Sequence, residues 1–283
     1  MFATLGNFFD IFGDGNNLVS ILVGSVYMWF LVFLVYRGVN QAVGINAVVV
    51  IAKLVPIIFS VIAIILLGAF KWDIFVENFA GAPYSAPLMD QVMSTVTTTV
   101  WTFIGIEGAV VLSARAKNTK VAGQATIYSF LSLLVLYIVI SVLSMGVMSQ
   151  EELAALGNPP MAGIMEAVVG PWGGTLVNCA VILSVGGAML SYIILCTDSA
   201  YQPAQSGLFP KFLTKLNKYN APSWSVLLTG IILQFFIIML YVNESSYQTL
   251  YAVSTSTIMF PYFFSALYYL KLVIQGHGCD NGA

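Results

Sequence analysis

Seven runs of roughly 20 predominantly apolar residues, near 17–36, 45–69, 93–114, 124–147, 172–200, 223–242 and 249–270, dominate this sequence, and each can cross a hydrocarbon core. Inside that core no water reaches the backbone, so a spanning segment must satisfy its own amides and carbonyls, as a helix does. The expected fold is therefore all-α, a polytopic membrane bundle of about seven transmembrane helices. Only 8% of the 283 residues are charged, against about a quarter in an ordinary soluble domain. One transmembrane domain, 1–283, absorbs nearly the whole length, with an outer segment at 1–16 and an unstructured tail at 275–283. The net charge of -2 comes without a basic cluster, so nucleic acid is not an expected partner. Cys179 and Cys196 lie in apolar runs and Cys279 in the tail, a spacing that makes neither a disulfide framework nor a metal site. They read as packing residues.

The connections sort by charge in strict alternation. Arg37 follows the first span, Arg115, Lys117 and Lys120 the third, Lys211, Lys215 and Lys218 the fifth, and Lys271 the seventh. Between them, Asp73, Glu77 and Asp90 outnumber Lys71, then come Glu151, Glu152 and Glu166 without a base, then Glu244 alone. The positive-inside rule puts the basic set in the cytoplasm, the N-terminus outside and the C-terminus inside. Met1 to Gly15 holds Asp10 and Asp14 but no Lys or Arg, so it lacks the basic start of a cleaved signal. An initiator Met on the outer face without a signal leads us to expect further spans before it. Two loops, Phe70 to Val92 and Met148 to Pro171, exceed what a connector needs and are expected to carry short surface helices, as a lid or as ornament.

Within the third span, Glu107 stands between Gly105 and Gly108 in Trp101-Thr102-Phe103-Ile104-Gly105-Ile106-Glu107-Gly108. A charge at the bilayer centre costs about 2.5–3.5 kcal/mol and usually faces a bundle interior or a water-filled cavity. Each glycine weakens a helix by about 1 kcal/mol relative to Ala. A break frees carbonyls that need a cavity or a protein surface, and a broken helix of this kind is how transporters build substrate sites. The alternative is a flexible glycine pair with a protonated Glu bonded to a neighbouring helix. Lys53, eight residues into the second span and three before Pro56, lies about 12 Å deep at the helical rise. It either snorkels to the headgroups or points at carbonyls or an acid in the core. Thr95, Thr97, Thr98 and Thr99 either bend the third span or bond across helices. Trp101 offers an aromatic face to a cavity or packs. Ser184, Gly186, Gly187 and Ser191 suit close helix approach in the fifth span, followed by Tyr192 and, near its cytoplasmic end, Asp198.

The residues from Trp101 to Gly108, then Ser113-Ala114-Arg115-Ala116-Lys117-Asn118, Ser191-Tyr192-Ile193-Ile194-Leu195, Gly207-Leu208-Phe209-Pro210-Lys211-Phe212, Asn220-Ala221-Pro222-Ser223 and Pro261-Tyr262-Phe263-Phe264-Ser265-Ala266-Leu267-Tyr268 form a further pattern. It resembles the basic amino acid/polyamine antiporters of the amino acid–polyamine–organocation superfamily, and within them the arginine/ornithine branch. The resemblance implies a five-plus-five inverted-repeat fold of twelve helices, of which the seven spans would be the fourth to the tenth. The chain would then lack the first three and last two.

By the same resemblance, a small cationic amino acid would bind at mid-membrane on Trp101, Thr102, Ile104, Gly105 and Tyr192. Carbonyls near Trp101 and Ile104 would hold its ammonium, and Trp101 would stack on its side chain. Glu107 would couple occupancy to gating. Lys53 matches a lysine that replaces the sodium of coupled relatives, and Asp198 would belong to an inner gate. Tyr192 stands where the family often has Trp, and Asp198 where it often has Glu. The glycine-rich break of the family's first helix is absent from this sequence. No cofactor and no metal is implied; the partners are the substrate and the lipid bilayer, with a homodimer as an open arrangement. The expected function is exchange of arginine for ornithine or a related amine across the plasma membrane by alternating access, the alternative being a truncated or partner-dependent permease. An enzyme would call for paired acids or His/Asp/Glu clusters, and a channel for rings of charge or carbonyls; neither pattern is visible.

Overall fold

The computed structural model describes residues 1–283 apart from 14, 16, 39–41, 81–86, 106–118, 243–245 and 276–283. The described residues form α1 (Phe2–Gly6), α2 (Leu18–Tyr36), α3 (Ala42–Leu66), α4 (Trp72–Ala80), α5 (Leu88–Phe103), α6 (Thr119–Met145), α7 (Gln150–Ala155), α8 (Pro160–Val169), α9 (Pro171–Gln205), α10 (Ser223–Val242) and α11 (Ser246–Ile274). Two 3-10 turns, Asp10–Phe12 and Lys211–Thr214, lie between them. The predicted spans fall on α2, α3, α5, α6, α9, α10 and α11, the third only in part, since its residues 106–114 lie outside the described residues. Among the described residues, five stretches, Leu18–Tyr36, Gly123–Met145, Pro171–Gln205, Ser223–Val242 and Tyr251–Ile274, are long and apolar enough to cross a membrane, and Ile51–Leu66 of α3 is a shorter apolar helix. The protein is a multi-pass membrane helical bundle. α3 carries Pro56 without ending, and the Ser60 hydroxyl donates to the Pro56 carbonyl at 2.8 Å. The two long loops do carry short helices: α4 in one, α7 and α8 in the other.

The 35-residue α9 is the spine of the bundle, packed along α3 and α8 and, further on, against α10 and α2. Met28, Leu31, Val32 and Val35 of α2 bury against Leu190 and Ile193 of α9 and Val226 of α10. A second core joins Ala63 of α3, Ala162 and Met165 of α8 and Val177 of α9. In lipid a buried leucine gains nothing from leaving water, so association rests on close packing and interhelical hydrogen bonds. Both are present. A Cβ added at Gly187 would lie 1.9 Å from a Val49 methyl, so α3 and α9 touch at a distance only glycine permits. The Tyr27 hydroxyl donates to the Gly186 carbonyl at 2.9 Å. Between α2 and α10, Trp29 Nε1 donates to Gln234 Oε1 and Gln234 Nε2 to Ser25 Oγ, each at 3.0 Å.

Candidate functional site

The site expected from sequence begins where α5 stops. Two threonine hydroxyls bond backward along this helix, Thr95 to the Val92 carbonyl and Thr102 to the Thr98 carbonyl, both at 2.8 Å. Such back-bonding bends helices slightly. After 16 residues α5 ends at Phe103, shorter than the roughly 20 residues a full crossing needs. Ile104 is extended, with φ -61° and ψ 133°, and its N–H donates to the Trp101 carbonyl at 3.2 Å. Gly105 follows at φ +112°, a conformation that side-chain-bearing residues rarely adopt. The glycine that sequence singled out thus sits in the backbone turn that takes the chain off the helix axis.

Aromatic rings hold this helix end in place. Trp101 packs on Tyr251 of α11, ring centroids 4.8 Å apart and planes at 52°. Phe103 packs on Phe130 and Tyr137 of α6, at 5.3 and 6.0 Å. From α9, the Tyr192 hydroxyl reaches the break: a Cβ on Gly105 would lie 3.5 Å from it. Trp101 and Tyr192 are 40% and 55% exposed, so both rings keep part of their surface uncovered. Trp101, Ile104, Gly105 and Tyr192 are therefore brought together. Thr102 adjoins them, but its hydroxyl is committed to its own helix.

Lys53 and Asp198 stand apart from the break. Lys53 is at the edge of a cavity of about 310 Å³ between α3, α8 and α9, with Pro56, Ile57, Met161, Val177, Ala180, Val181 and Ser184. Ser184 and Tyr192 are separated by about 12 Å along α9, so Lys53 is not at the break. Asp198 lies beyond Tyr192 on α9, 4% exposed, next to Thr197, whose buried hydroxyl finds no hydrogen-bond partner among the described residues. Glu107 and Gly108 lie outside the described residues, as do Asp14, Arg115, Lys117, Asn118, Glu244, His277 and Cys279. Tyr251 was missed from sequence, because a tyrosine near the start of a span reads as part of the aromatic belt. A tyrosine just before the hydroxyl tract Ser254 to Thr257 was the available signal.

Comparison with known proteins adds an independent line. The family described as amino acid permease matches residues 1–276. The arginine/ornithine antiporter of Pseudomonas aeruginosa is 40% identical over 291 residues, covering 100% of this chain and 60% of the relative. The L-lysine transport protein of Corynebacterium glutamicum is 37% identical, covering 99% of this chain and 56% of the relative. The arginine/agmatine antiporter of Chlamydia abortus is 35% identical, with 92% and 54% covered. The chain thus spans about three fifths of the length of these relatives. A match over nearly its whole length, together with the helical bundle, means that this chain belongs to the amino acid permease family.

Proposed function

We propose that this chain serves secondary transport of a cationic amino acid, exchanging arginine for ornithine or a related amine across the plasma membrane by alternating access. The observation that carries the reading is the end of α5 at Ile104–Gly105, inside a predicted span, with Trp101 and Tyr192 open beside it. A helix C-terminus presents carbonyls and the negative end of its dipole, equivalent to about half an elementary charge. That favours an ammonium or guanidinium group. An aromatic face adds about 0.5–2 kcal/mol for a cation, more as water is excluded. In this reading the carbonyls near Trp101 and Ile104 hold the α-ammonium, Trp101 stacks on the side chain, and Tyr192 closes the opposite wall. Glu107 couples occupancy to gating, Lys53 acts as a fixed cation, and Asp198 belongs to an inner gate. The names of the relatives, two of them arginine antiporters, support the substrate class.

A second reading is favoured by one observation, the greater length of the relatives: a permease part that transports only with further helices. Vesicles containing this chain, preloaded with ornithine, separate the two. The exchange reading expects saturable uptake of labelled arginine that requires internal ornithine and is weakened by Trp101→Leu. Uptake no higher than in empty vesicles sinks it and leaves the second reading; steady current without internal ornithine would instead mark a channel.

A further inference from the structure

The helix α4 joins the second and third spans and divides its circumference three ways. At about 100° per residue, Trp72, Phe75, Val76 and Phe79 share one sector, Asp73 and Glu77 a second, and Ile74 and Asn78 the third. The third sector faces protein. The Asn78 side-chain amide donates to the carbonyls of Met145 and Met148 at 2.6 and 2.8 Å, and the Lys71 N–H donates to the Gly146 carbonyl at 2.8 Å. These bonds clamp α4 to the C-terminal end of α6, and α3 ends at Leu66, six residues before α4 begins. The level of α4 is therefore the level at which two spans leave the hydrocarbon.

Among the described residues the aromatic sector is covered only in part, at Phe75, where Phe70 packs on it, and is otherwise open. Trp72, Val76 and Phe79 are 66%, 47% and 72% exposed. Phe75 sits among Phe70, Trp72 and Phe79 at 5.5, 5.4 and 5.5 Å, so the rings form one continuous surface. Along the chain that surface continues the exposed apolar residues at the end of α3, Ile65, Leu66 and Leu67. Aromatic rings collect at the headgroup level of a bilayer. A sector of four apolar side chains opposite two carboxylates is the pattern of a helix lying in the plane of that boundary.

We propose that α4 is an interfacial helix whose Trp72–Phe75–Val76–Phe79 sector is sunk in the acyl–headgroup boundary, with Asp73 and Glu77 in water. Because its polar sector is acidic, the contact is apolar and needs no anionic lipid. The test uses the full chain with Cys179, Cys196 and Cys279 replaced by serine. Nitroxides are attached at Val76→Cys, Phe79→Cys, Asp73→Cys or Glu77→Cys, and the protein is reconstituted in phosphatidylcholine vesicles. Power saturation with oxygen and with a water-soluble nickel chelate reads depth. Expected are oxygen-dominated relaxation at 76 and 79, at a depth of about 5–10 Å, and nickel-dominated relaxation at 73 and 77. Nickel dominance at 76 and 79 would overturn the proposal in favour of an aqueous surface. Shielding of 76 and 79 from both relaxers would overturn it in favour of a protein cover, another segment or a second copy. All four positions are exposed, so the labels leave the packing of the bundle intact.

Discussion

Thr197 on α9 is 2% exposed and its hydroxyl finds no partner among the described residues, although a helical threonine can usually bond to a carbonyl one turn back. A buried, unpaired hydroxyl costs about 1–3 kcal/mol in desolvation. Valine has nearly the same shape and no hydroxyl to desolvate. Thr197→Val is therefore expected to stabilise the purified protein by about 1 kcal/mol, read as a rise in thermal midpoint in detergent. A fall would mean that the hydroxyl is held by an internal water. Gly105 presents the opposite case. At φ +112° its backbone is strained for any side chain, while a Cβ there would stand 3.5 Å from the Tyr192 hydroxyl, an ordinary contact. Gly105→Ala should thus lose about 1–3 kcal/mol through the backbone alone. Combining it with Tyr192→Phe, which removes the nearest atom, should restore none of that loss; recovery in the double variant would show a steric cause instead.

At the scale of elements, α7 is tied to its own sequence by a reciprocal cap. The Ser149 N–H and hydroxyl both donate to Glu152 Oε2 at 2.9 Å, and the Glu152 N–H donates to Ser149 Oγ at 3.4 Å. The Ser149 backbone bond first, then the hydroxyl, holds the Glu152 carboxyl below its ordinary value of 4.5. A carboxyl lowered in the folded state gives its support above the unfolded value, and that support is lost as pH falls through the folded one. Amide protection in α7, corrected for the intrinsic pH dependence of exchange, should fall selectively on acidification, whereas Glu152→Gln, which can still cap, should flatten the profile. Identical acid profiles in both proteins would clear Glu152 as the titrating group. The apolar spans were legible in sequence because bilayer thickness sets their length. The stop in α5 was legible only to within a turn. Gly105 and Gly108 marked the region, but the last helical residue, Phe103, depends on Ile104 turning extended. The Trp101–Tyr251 pairing was not legible at all. It depends on how each helix is rotated about its axis, and helices apolar all round carry little record of that rotation. For the same reason, sequence placed Lys53 within a span but not on the cavity it lines with Met161, Val177 and Ser184.

Among the described residues, hydrogen bonds join two basic connections at one end of the bundle and two acidic ones at the other. At one end, the Asn217 side-chain amide donates to the Tyr36 carbonyl at 2.7 Å, and Arg37 Nη1 donates to the Tyr219 hydroxyl at 3.0 Å, with the guanidinium 5.2 Å from the rings of Phe33 and Tyr219. This unites the basic loops after α2 and α9. At the other end, the bonds from Lys71 and Asn78 to residues 145–148 unite the acidic loops after α3 and α6. For these four loops the alternation along the chain is an asymmetry between two faces, which is the condition under which the positive-inside rule orients a protein. The rule then makes a specific claim: the face of Arg37 and Lys218 is cytoplasmic and that of Asp73 and Glu151 is external. Single cysteines at Lys218→Cys and Glu151→Cys, with the native cysteines replaced, should react oppositely with a membrane-impermeant maleimide. Position 151 should label in intact cells and position 218 only after permeabilisation. The reverse pattern would invert the whole assembly, because loops joined by these bonds cannot be reoriented singly. Labelling of both positions in intact cells would mean that the two faces are not held apart by one bilayer.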